Sequence, residues 1–204
     1  MKQFLIALFL SVGLLSCGNS TRPNEEIVAP PTPQELAAKP VTIKGLDLEN
    51  TLYLDLKTGR VVIKLRPDLA PNHVDRIKKL TREGFYNGLK FHRVIAGFMV
   101  QTGDPRGDGT GGSKYPDLKA EFTNTPFLKG TVGAARSASP DSANSQFYIM
   151  LGRAPHLDNQ YTVWGQVVQG MGNVMRIKLG DAAKNGTVTN PDIIVKMQVA
   201  ADAK

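Results

Sequence analysis

The amino-acid sequence predicts a mainly β fold, a closed antiparallel barrel accompanied by two helices. Twenty glycines and thirteen prolines in 204 residues indicate many turns, which favours strands over a helical bundle. Several short segments alternate apolar and polar residues with the period of two that half-buried strands show. Two other segments carry the apolar spacing of a helix. Many short strands with two isolated helices are typical of a closed barrel.

A β-hairpin is the first predicted element of the folded domain. Residues 51–56, Thr-Leu-Tyr-Leu-Asp-Leu, alternate with period two, and residues 60–65, Arg-Val-Val-Ile-Lys-Leu, form a second apolar run. The Lys-Thr-Gly segment at 57–59 lies between them and has the composition of a turn. The two runs are therefore expected to pair as antiparallel strands.

A helix is predicted over residues 72–82. Val74, Ile77 and Leu80 are spaced three residues apart and would form its buried face. Gly84 follows in the position of a glycine cap.

The rest of the domain is predicted to be mostly strands. Short apolar runs separated by glycine and proline extend from residue 91 to about residue 168. A second short helix is expected over residues 171–179, because Gly180 would end it. Residues 192–199 alternate again and are expected to form the closing strand.

The first sixteen residues are predicted to be a signal peptide. Lys2 precedes an apolar stretch at 4–15 that is too short to span a bilayer comfortably but has the length of a signal-peptide core. The stretch ends in Leu-Leu-Ser-Cys and resembles a bacterial lipoprotein signal, which implies cleavage before Cys17 and acylation of its thiol. The alternative is a plain secretory signal that is cut elsewhere and leaves the thiol free.

Residues 17–45 are predicted to be a tether, and residues 46–204 the folded domain. Five prolines between residues 23 and 40 alternate with small and polar residues, and no apolar period emerges. This composition is typical of an extended spacer. An acylated tether would hold the domain at a membrane of the bacterial cell envelope, periplasmic or outer.

Charge and cysteine content exclude some classes of protein. The net charge is +7, but lysine and arginine are scattered, which favours a solubilising basic surface over a nucleic-acid partner. Cys17 is the only cysteine, so the chain has no internal disulfide. Nothing in the pattern requires more than a monomer.

One run, residues 91–104, carries the most chemical information. A basic side chain, Arg93, lies close in sequence to Phe98, Met99 and Gln101, on short segments of β type. An aromatic ring, a thioether and an amide beside one cation suit a shallow apolar pocket with a strong donor at its lip. Such a pocket could hold a proline ring next to its amide bond.

The same run closely resembles the signature of the cyclophilin family of peptidyl-prolyl cis-trans isomerases. Two further blocks agree in order and near spacing, residues 145–149 (Ser-Gln-Phe-Tyr-Ile) and residues 157–165. The resemblance covers roughly residues 46–200. It implies an eight-stranded closed barrel with a helix capping each end, rotation about Xaa-Pro bonds in unfolded or proline-containing polypeptides, and no cofactor or metal.

The resemblance also implies the roles of individual residues. Arg93 would be the catalytic donor, with Gln101 and His92 as the other catalytic residues. The implied substrate-binding residues are Phe98, Met99, Gln146, Tyr148, Leu157, Ser137, Arg136, Tyr161 and His156.

The sequence departs from many members of that family at the rim of the site. His156 replaces a tryptophan, Tyr161 a histidine, and Tyr148 a phenylalanine of the pocket, while Arg136 and Ser137 align with an Ala-Asn pair. The hydroxyl of Tyr148 needs a partner if it is buried. Arg136 would place a second charge at the rim and favour acidic residues near the target proline.

Other functions remain as alternatives or are excluded by context. A proline-binding module or holdase with weak turnover would keep the pocket despite the altered rim. The Gly-x-Gly-x-x-Gly pattern at 107–112 is followed by no helical stripe, so we interpret it as a glycine loop and not a dinucleotide site. The three histidines, at 73, 92 and 156, lack the spacing of metal ligands. The function implied by the resemblance, and expected here, is peptidyl-prolyl isomerisation that assists protein folding in the cell envelope.

Overall fold

The computed structural model describes residues 45–203. The predicted signal peptide (1–16), the acylated Cys17 and nearly all of the predicted tether (17–45) lie outside the described residues. Within the described range no helix is long and apolar enough to cross a membrane.

Eight strands and two helices make up this part of the chain. All strand pairs are antiparallel, and they form one sheet in the order β3-β4-β6-β5-β7-β2-β1-β8. Helix α1 packs against β7 and β8, and α2 against β2. The strands are β1 (Thr51–Leu56), β2 (Gly59–Leu65), β3 (Arg93–Ile95), β4 (Met99–Thr102), β5 (Thr131–Ala134), β6 (Phe147–Met150), β7 (Val163–Gln169) and β8 (Lys196–Val199), and the helices are α1 (Pro71–Arg82) and α2 (Met171–Val174).

The sheet is an open half-barrel, so the prediction of a closed barrel is wrong. The edge strands β3 and β8 do not pair with each other. Instead the backbone of residues 88–94 bonds to that of residues 186–194 through N–H···O contacts of 2.8–3.0 Å. Asn190 has a positive φ of 51° and Pro191 has no N–H, so this segment cannot continue as a regular strand. The closing strand predicted from residue 192 begins only at Lys196, and before it Asp192 and Ile194 bond to residues 88–91.

The predicted hairpin is confirmed as β1 and β2, and the first predicted helix as α1. Val74, Ile77 and Leu80 are buried on the inner face of α1, as their spacing predicts. The second helix is shorter than the predicted 171–179. Beyond Val174 the backbone hydrogen bonds join residues three positions apart, so the turns are tighter than those of an α-helix and the helix ends there.

The core divides into a main cluster and a smaller one near the candidate site. In the main cluster, Trp164 and Tyr86 contact Phe147 edge to face, with ring centroids 5.4 and 5.6 Å away. The smaller cluster comprises Met99, Phe127, Tyr148, Met150, Ala154, Leu157 and Val163, with Phe98 and Tyr161 packed against it. Three of the predicted substrate-binding side chains are therefore buried members of a rigid apolar cluster.

The long loop between β4 and β5 supplies the cap of α1. Ala70, at the N-cap, offers no side-chain acceptor. Glu121 replaces it by accepting the backbone N–H groups of Asn72 (3.1 Å) and His73 (3.0 Å). The same carboxylate contacts Nδ1 of the buried His73 ring at 2.5 Å. A carboxylate at a helix N-terminus also interacts favourably with the helix dipole.

We expect this cap to make folding stability depend on pH. Burial lowers the pKa of His73 below its usual 6.5. For Glu121 burial alone would raise the pKa, but hydrogen bonds from His73 and Asn72 outweigh it and lower the pKa. The unfolded chain therefore binds protons more readily than the folded chain at both groups. The free energy of unfolding should fall as the pH falls below 6.5, first because His73 is protonated and then because Glu121 is protonated. Urea titrations from pH 7 to pH 3 should show this loss, and His73→Gln should flatten the part of the curve near pH 6. An equal dependence of the free energy of unfolding on pH in the two proteins would contradict the assignment.

Candidate active site

One cavity of about 100 Å³ collects most of the predicted site residues. Eight of the twelve residues predicted as catalytic or substrate-binding line it, together with Ala135. The lining residues are Arg93, Phe98, Met99, Gln101, Ala135, Arg136, Tyr148, Leu157 and Tyr161.

Strand register explains why residues distant in sequence meet in this cavity. Arg93 of β3 is paired with Gln101 of β4, and Gln101 is paired with Tyr148 of β6. Tyr148 is paired in turn with Gly133 of β5. Directly paired residues point to the same face of a sheet, so the cation, the amide and the ring lie in one cross-strand row.

Gly133 leaves the room that the Tyr148 ring occupies. A Cβ added at this glycine would lie 2.7 Å from Cε1 of Phe127 and 2.8 Å from Cζ and the hydroxyl of Tyr148. These ring atoms belong to buried side chains of the smaller cluster and cannot easily withdraw. The Tyr148 ring can therefore take its place in the cavity wall only because residue 133 has no side chain.

The Arg93 guanidinium is held from two sides. Its Nη1 donates to Oε1 of Gln101 (3.2 Å). On the other side Nε donates to the backbone carbonyl of Asn185 (3.0 Å) and Nη2 to Oδ1 of the same residue (2.9 Å). Burial lowers the pKa of Arg93 from its usual value, but an arginine stays cationic at any physiological pH.

Two glutamines extend this network away from Arg93. Nε2 of Gln101 donates to Oε1 of Gln146 (2.9 Å), and Nε2 of Gln146 donates to the carbonyls of Gly109 (3.0 Å) and Gly111 (2.8 Å). A carbonyl oxygen only accepts, so the end of the Gln146 amide that faces Gly109 and Gly111 must be its NH2 group. The oxygen of Gln146 then faces Gln101 and accepts from its NH2 group, which orients both amides. The amide oxygen of Gln101 must therefore face Arg93. The cation is thus held by neutral hydrogen-bond partners.

Asp104 shapes the glycine loop that ends this network. Its buried carboxylate accepts backbone N–H groups of Arg106 (2.8 Å), Asp108 (3.0 Å) and Gly109 (2.6 Å). Burial would raise the pKa of Asp104, but these hydrogen bonds outweigh burial and lower it. The ionised carboxylate therefore holds the loop in the conformation that presents its carbonyls to Gln146.

Aromatic side chains surround the apolar part of the cavity. Phe98 packs against the ring of His156 at 5.6 Å, and Tyr148 lies between Phe127 (5.9 Å) and Tyr161 (6.0 Å). His156 thus reaches the cavity through Phe98 and does not itself line it.

The Tyr148 hydroxyl does not have the partner that the sequence led us to expect. It is buried, and no hydrogen-bond partner for it lies among residues 45–203. Burial raises the pKa of this phenol, so the group stays protonated. An unpaired hydroxyl in an apolar cluster destabilises the folded state.

Tyr148→Phe is therefore expected to stabilise the protein by about 1 kcal/mol and to leave its activity nearly unchanged. Tyr86→Phe is the matched control, because the Tyr86 hydroxyl donates to the carbonyl of Ser145 (3.1 Å) and its removal should destabilise by a similar amount. Chemical denaturation of the three proteins measures both effects. A loss of stability in Tyr148→Phe as large as that in the control would show that the hydroxyl is paired.

Three of the other four predicted residues line two neighbouring cavities. His92 is buried beside Arg93 in a cavity of about 460 Å³, and burial lowers its pKa, which keeps the ring neutral. Gln146 and Ser137 line a cleft of about 440 Å³. Gln101 and Arg136 line all three cavities, so the cavities form one continuous groove. In the described part of the chain no group of three or more His, Cys, Asp or Glu side chains could hold a metal ion.

Arg136 at the rim binds backbone carbonyls. Nε and Nη2 donate to the carbonyl of Gln160 (3.3 and 2.9 Å), and Nη1 to those of Ser137 (2.9 Å) and Ala138 (3.2 Å). The guanidinium also lies over the ring of Tyr161, with Cζ 4.4 Å from its centroid. The side chain joins the β5–β6 loop to the loop before β7, and its charge has no carboxylate partner among the described ion pairs.

Three residues that shape this site were not predicted from the sequence. Asn185 lies 92 residues from Arg93, and only the Asn-Gly turn signal at 185–186 marks its position. Asp104 ends the predicted run but was assigned no role, and Gly133 lies in an unremarkable apolar strand.

Comparison with known proteins gives a consistent result. Residues 51–199 match the model of the family described as cyclophilin type peptidyl-prolyl cis-trans isomerase/CLD, a range that begins with β1 and ends with β8. The chain is 57% identical over 174 residues to a probable peptidyl-prolyl cis-trans isomerase of Brucella suis biovar 1, covering 80% of this chain and 89% of that protein. It is 40% identical over 149 residues to a peptidyl-prolyl cis-trans isomerase of Helicobacter pylori, covering 70% and 90%.

Solved structures agree with this fold. Cyclophilin AquaCyp293 from Hirschia baltica superposes with a TM-score of 0.70 at 26% identity, over 79% of this chain and 77% of that one. A cyclophilin type peptidyl-prolyl cis-trans isomerase of Cryptosporidium parvum, crystallised in the presence of the dipeptide Ala-Pro, gives a TM-score of 0.67 at 23% identity, over 73% and 98%. The half-barrel described above is therefore a fold that solved proteins share.

Proposed function

Because this chain belongs to the cyclophilin family and is a peptidyl-prolyl cis-trans isomerase, we propose that Arg93 is the group that stabilises the twisted Xaa-Pro bond during its rotation. The proline ring would occupy the cavity of about 100 Å³. The observation that carries the proposal is the position of a fixed cation at the edge of this small apolar cavity, held by Gln101 and Asn185.

The chemistry of the reaction explains why a cation is useful there. Rotation about the peptide bond must break amide conjugation, which costs roughly 18–20 kcal/mol. In the twisted state the prolyl nitrogen regains its lone pair and becomes a hydrogen-bond acceptor. A donor aimed at this nitrogen binds the twisted state better than either planar form, and only such differential binding accelerates the reaction.

Arg93 cannot supply the whole acceleration. A hydrogen bond to a charged group contributes about 1.5–3 kcal/mol net. A millionfold acceleration requires about 8 kcal/mol. The buried walls formed by Met99, Tyr148 and Leu157 must contribute the rest, because they exclude water and fix the ring while the bond turns.

The groove around the cavity suits an extended polypeptide. The clefts next to it carry polar groups: the amide of Gln146 and the hydroxyl of Ser137 on one side, and the imidazole of His92 on the other. Residues that flank the target proline would occupy these clefts and bond to such polar groups. Unfolded or partly folded proline-containing chains are therefore the substrates that the groove fits best.

The uncompensated charge of Arg136 predicts a modest substrate preference. Four of its five N–H groups donate to backbone carbonyls, so it acts on the substrate mainly through its charge. We expect peptides with glutamate next to the Xaa-Pro pair to have kcat/KM about 2- to 5-fold higher than peptides with lysine there. The preference should shrink in 0.5 M salt and persist in Arg136→Lys, which keeps the charge. A preference that is insensitive to salt would contradict this explanation.

The proposal also places the enzyme in the bacterial cell envelope, held by an acylated Cys17. It is supported by the apolar stretch at 4–15, by the Leu-Leu-Ser-Cys sequence that follows, and by the proline-rich segment before the domain. Two or three acyl chains give stable membrane attachment, whereas one gives only marginal binding.

Fractionation of bacterial cells that express the full chain tests this placement. Wild-type protein should sediment with membranes, and mass spectrometry should find its N-terminus at an acylated Cys17. Cys17→Ser should abolish acylation and release the protein from washed membranes. An unmodified thiol in the mature wild-type protein would overturn the lipid anchor and leave the isomerase assignment intact.

A further inference from the structure

We propose that Asn185 is a positioning residue for catalysis, which holds the Arg93 guanidinium in the orientation that the twisted substrate needs. The inference rests on the proposed role of Arg93 and extends it to a residue far away in sequence. It follows from how Asn185 is fixed, from the donors that it occupies, and from its lack of charge.

The turn that carries Asn185 is attached directly to the strand that carries Arg93. The N–H of Val94 donates to the carbonyl of Gly186 (2.8 Å), and the carbonyl of Val94 accepts the N–H of Gly180 (3.0 Å). Inside the turn, the carbonyl of Asp181 accepts the N–H of Gly186 (2.8 Å). Both ends of the turn are thus bonded to the neighbour of Arg93, and Asn185 cannot move independently of it.

The backbone conformation of Asn185 lets one residue offer two acceptors. Its φ is 51°, in the left-handed region that asparagine tolerates better than most residues. In this conformation the backbone carbonyl accepts from Nε of Arg93 at 3.0 Å and the side-chain Oδ1 accepts from Nη2 at 2.9 Å. Two parallel contacts fix the plane of a guanidinium, which a single contact does not.

Counting donors shows what remains for the substrate. A guanidinium has five N–H groups. Asn185 occupies two of them and Gln101 one, which leaves one N–H on each Nη atom. Arg93 lines both the 100 Å³ cavity and the 460 Å³ cavity next to it, so these two donors border the substrate groove.

The partners of Arg93 are neutral, which preserves its charge for the reaction. None of the ion pairs found among residues 45–203 involves Arg93. A carboxylate in the place of Asn185 would hold the guanidinium equally well but would offset its field at the prolyl nitrogen. An amide and a backbone carbonyl orient the cation and leave its charge available.

Asn185→Gly is the variant that isolates the side-chain contact. Glycine accepts a φ of 51° without strain and keeps the backbone carbonyl that accepts from Nε, so the variant removes the side-chain amide and with it the bond from Nη2 to Oδ1. Asn190→Gly is the matched control, because Asn190 also has a φ of 51° and lies outside the three cavities. Both variants change the flexibility of the unfolded chain in the same way.

The experiment measures kcat, peptide affinity and unfolding for the full chain, kept in solution with a mild detergent, using an Ala-Xaa-Pro-Phe peptide. We expect Asn185→Gly to lower kcat about tenfold, on the order of one charged hydrogen bond, with peptide affinity nearly unchanged. Asn190→Gly should keep the wild-type kcat. In an Arg93→Ala background the Asn185→Gly substitution should have no further effect, because its effect passes through Arg93.

Two results would overturn the inference, and a third would overturn its premise. Wild-type kcat in Asn185→Gly would show that Oδ1 does not position Arg93. An equal loss in the presence and absence of Arg93 would show that the turn acts by another route. If Arg93→Ala alone kept the wild-type rate, the proposed function of Arg93 would fail, which is distinguishable from failure of the Asn185 assignment.

Discussion

Arg93→Ala is expected to lower kcat/KM for Xaa-Pro isomerisation by roughly 10- to 150-fold, since about 1.5–3 kcal/mol of charged hydrogen bonding is lost from the twisted state. Peptide affinity should fall much less, because the planar forms do not need this donor. Peptide isomerisation assays over a range of substrate concentration separate the two parameters.

Two controls define what the loss means. Arg93→Lys keeps the charge, but one ammonium cannot reproduce the fork that contacts Gln101 and Asn185, so an intermediate rate is expected. Arg66→Ala removes a partly exposed arginine that pairs with Asp68 and lies outside the three cavities, so it should leave the rate unchanged. A wild-type rate in Arg93→Ala would show that the apolar walls alone catalyse rotation.

Gly133→Ala is expected to have the second large effect, because it places a methyl group where two aromatic rings already pack. The new Cβ would lie 2.7–2.8 Å from atoms of Phe127 and Tyr148. Overpacking of this kind costs about 1–3 kcal/mol of stability, and the displaced Tyr148 ring would enter the cavity of about 100 Å³. We therefore expect a lower denaturation midpoint together with weaker peptide binding.

Gly172→Ala serves as the control for this substitution. A Cβ at Gly172 of α2 meets nothing within 4 Å, and alanine favours a helix, so stability should stay the same or rise slightly. If Gly133→Ala were as stable and as active as this control, the close packing of the three residues would not be what shapes the cavity.

The features that the sequence predicted well are those that short-range patterns determine. The hairpin of β1 and β2 follows from alternation and one turn, and α1 follows from the spacing of Val74, Ile77 and Leu80. Most residues of the candidate cavity could be predicted because they lie in three short blocks of sequence. All three blocks resemble the same family, and this indicates that their residues meet at one site. Their catalytic roles stay predictions until activity is measured.

The features that the sequence did not predict depend on contacts between distant segments. The seam between β3 and β8 is filled by the segment that contains Asn190 and Pro191, and this arrangement appears only when the two edges are compared in space. Asn185 reaches Arg93 across 92 residues, which no local pattern encodes. The unpaired hydroxyl of Tyr148 depends on which groups its neighbours present.

The most direct test of the account is exchange NMR of an Ala-Xaa-Pro-Phe peptide with a small molar fraction of the full chain in mild detergent. If the cavity rotates the bond, cis and trans signals of the peptide should exchange many times faster than the uncatalysed tens to hundreds of seconds, and Arg93→Ala should remove most of this gain. Peptide binding without faster exchange would contradict the account and would identify the cavity as a proline-binding site that does not turn over its ligand.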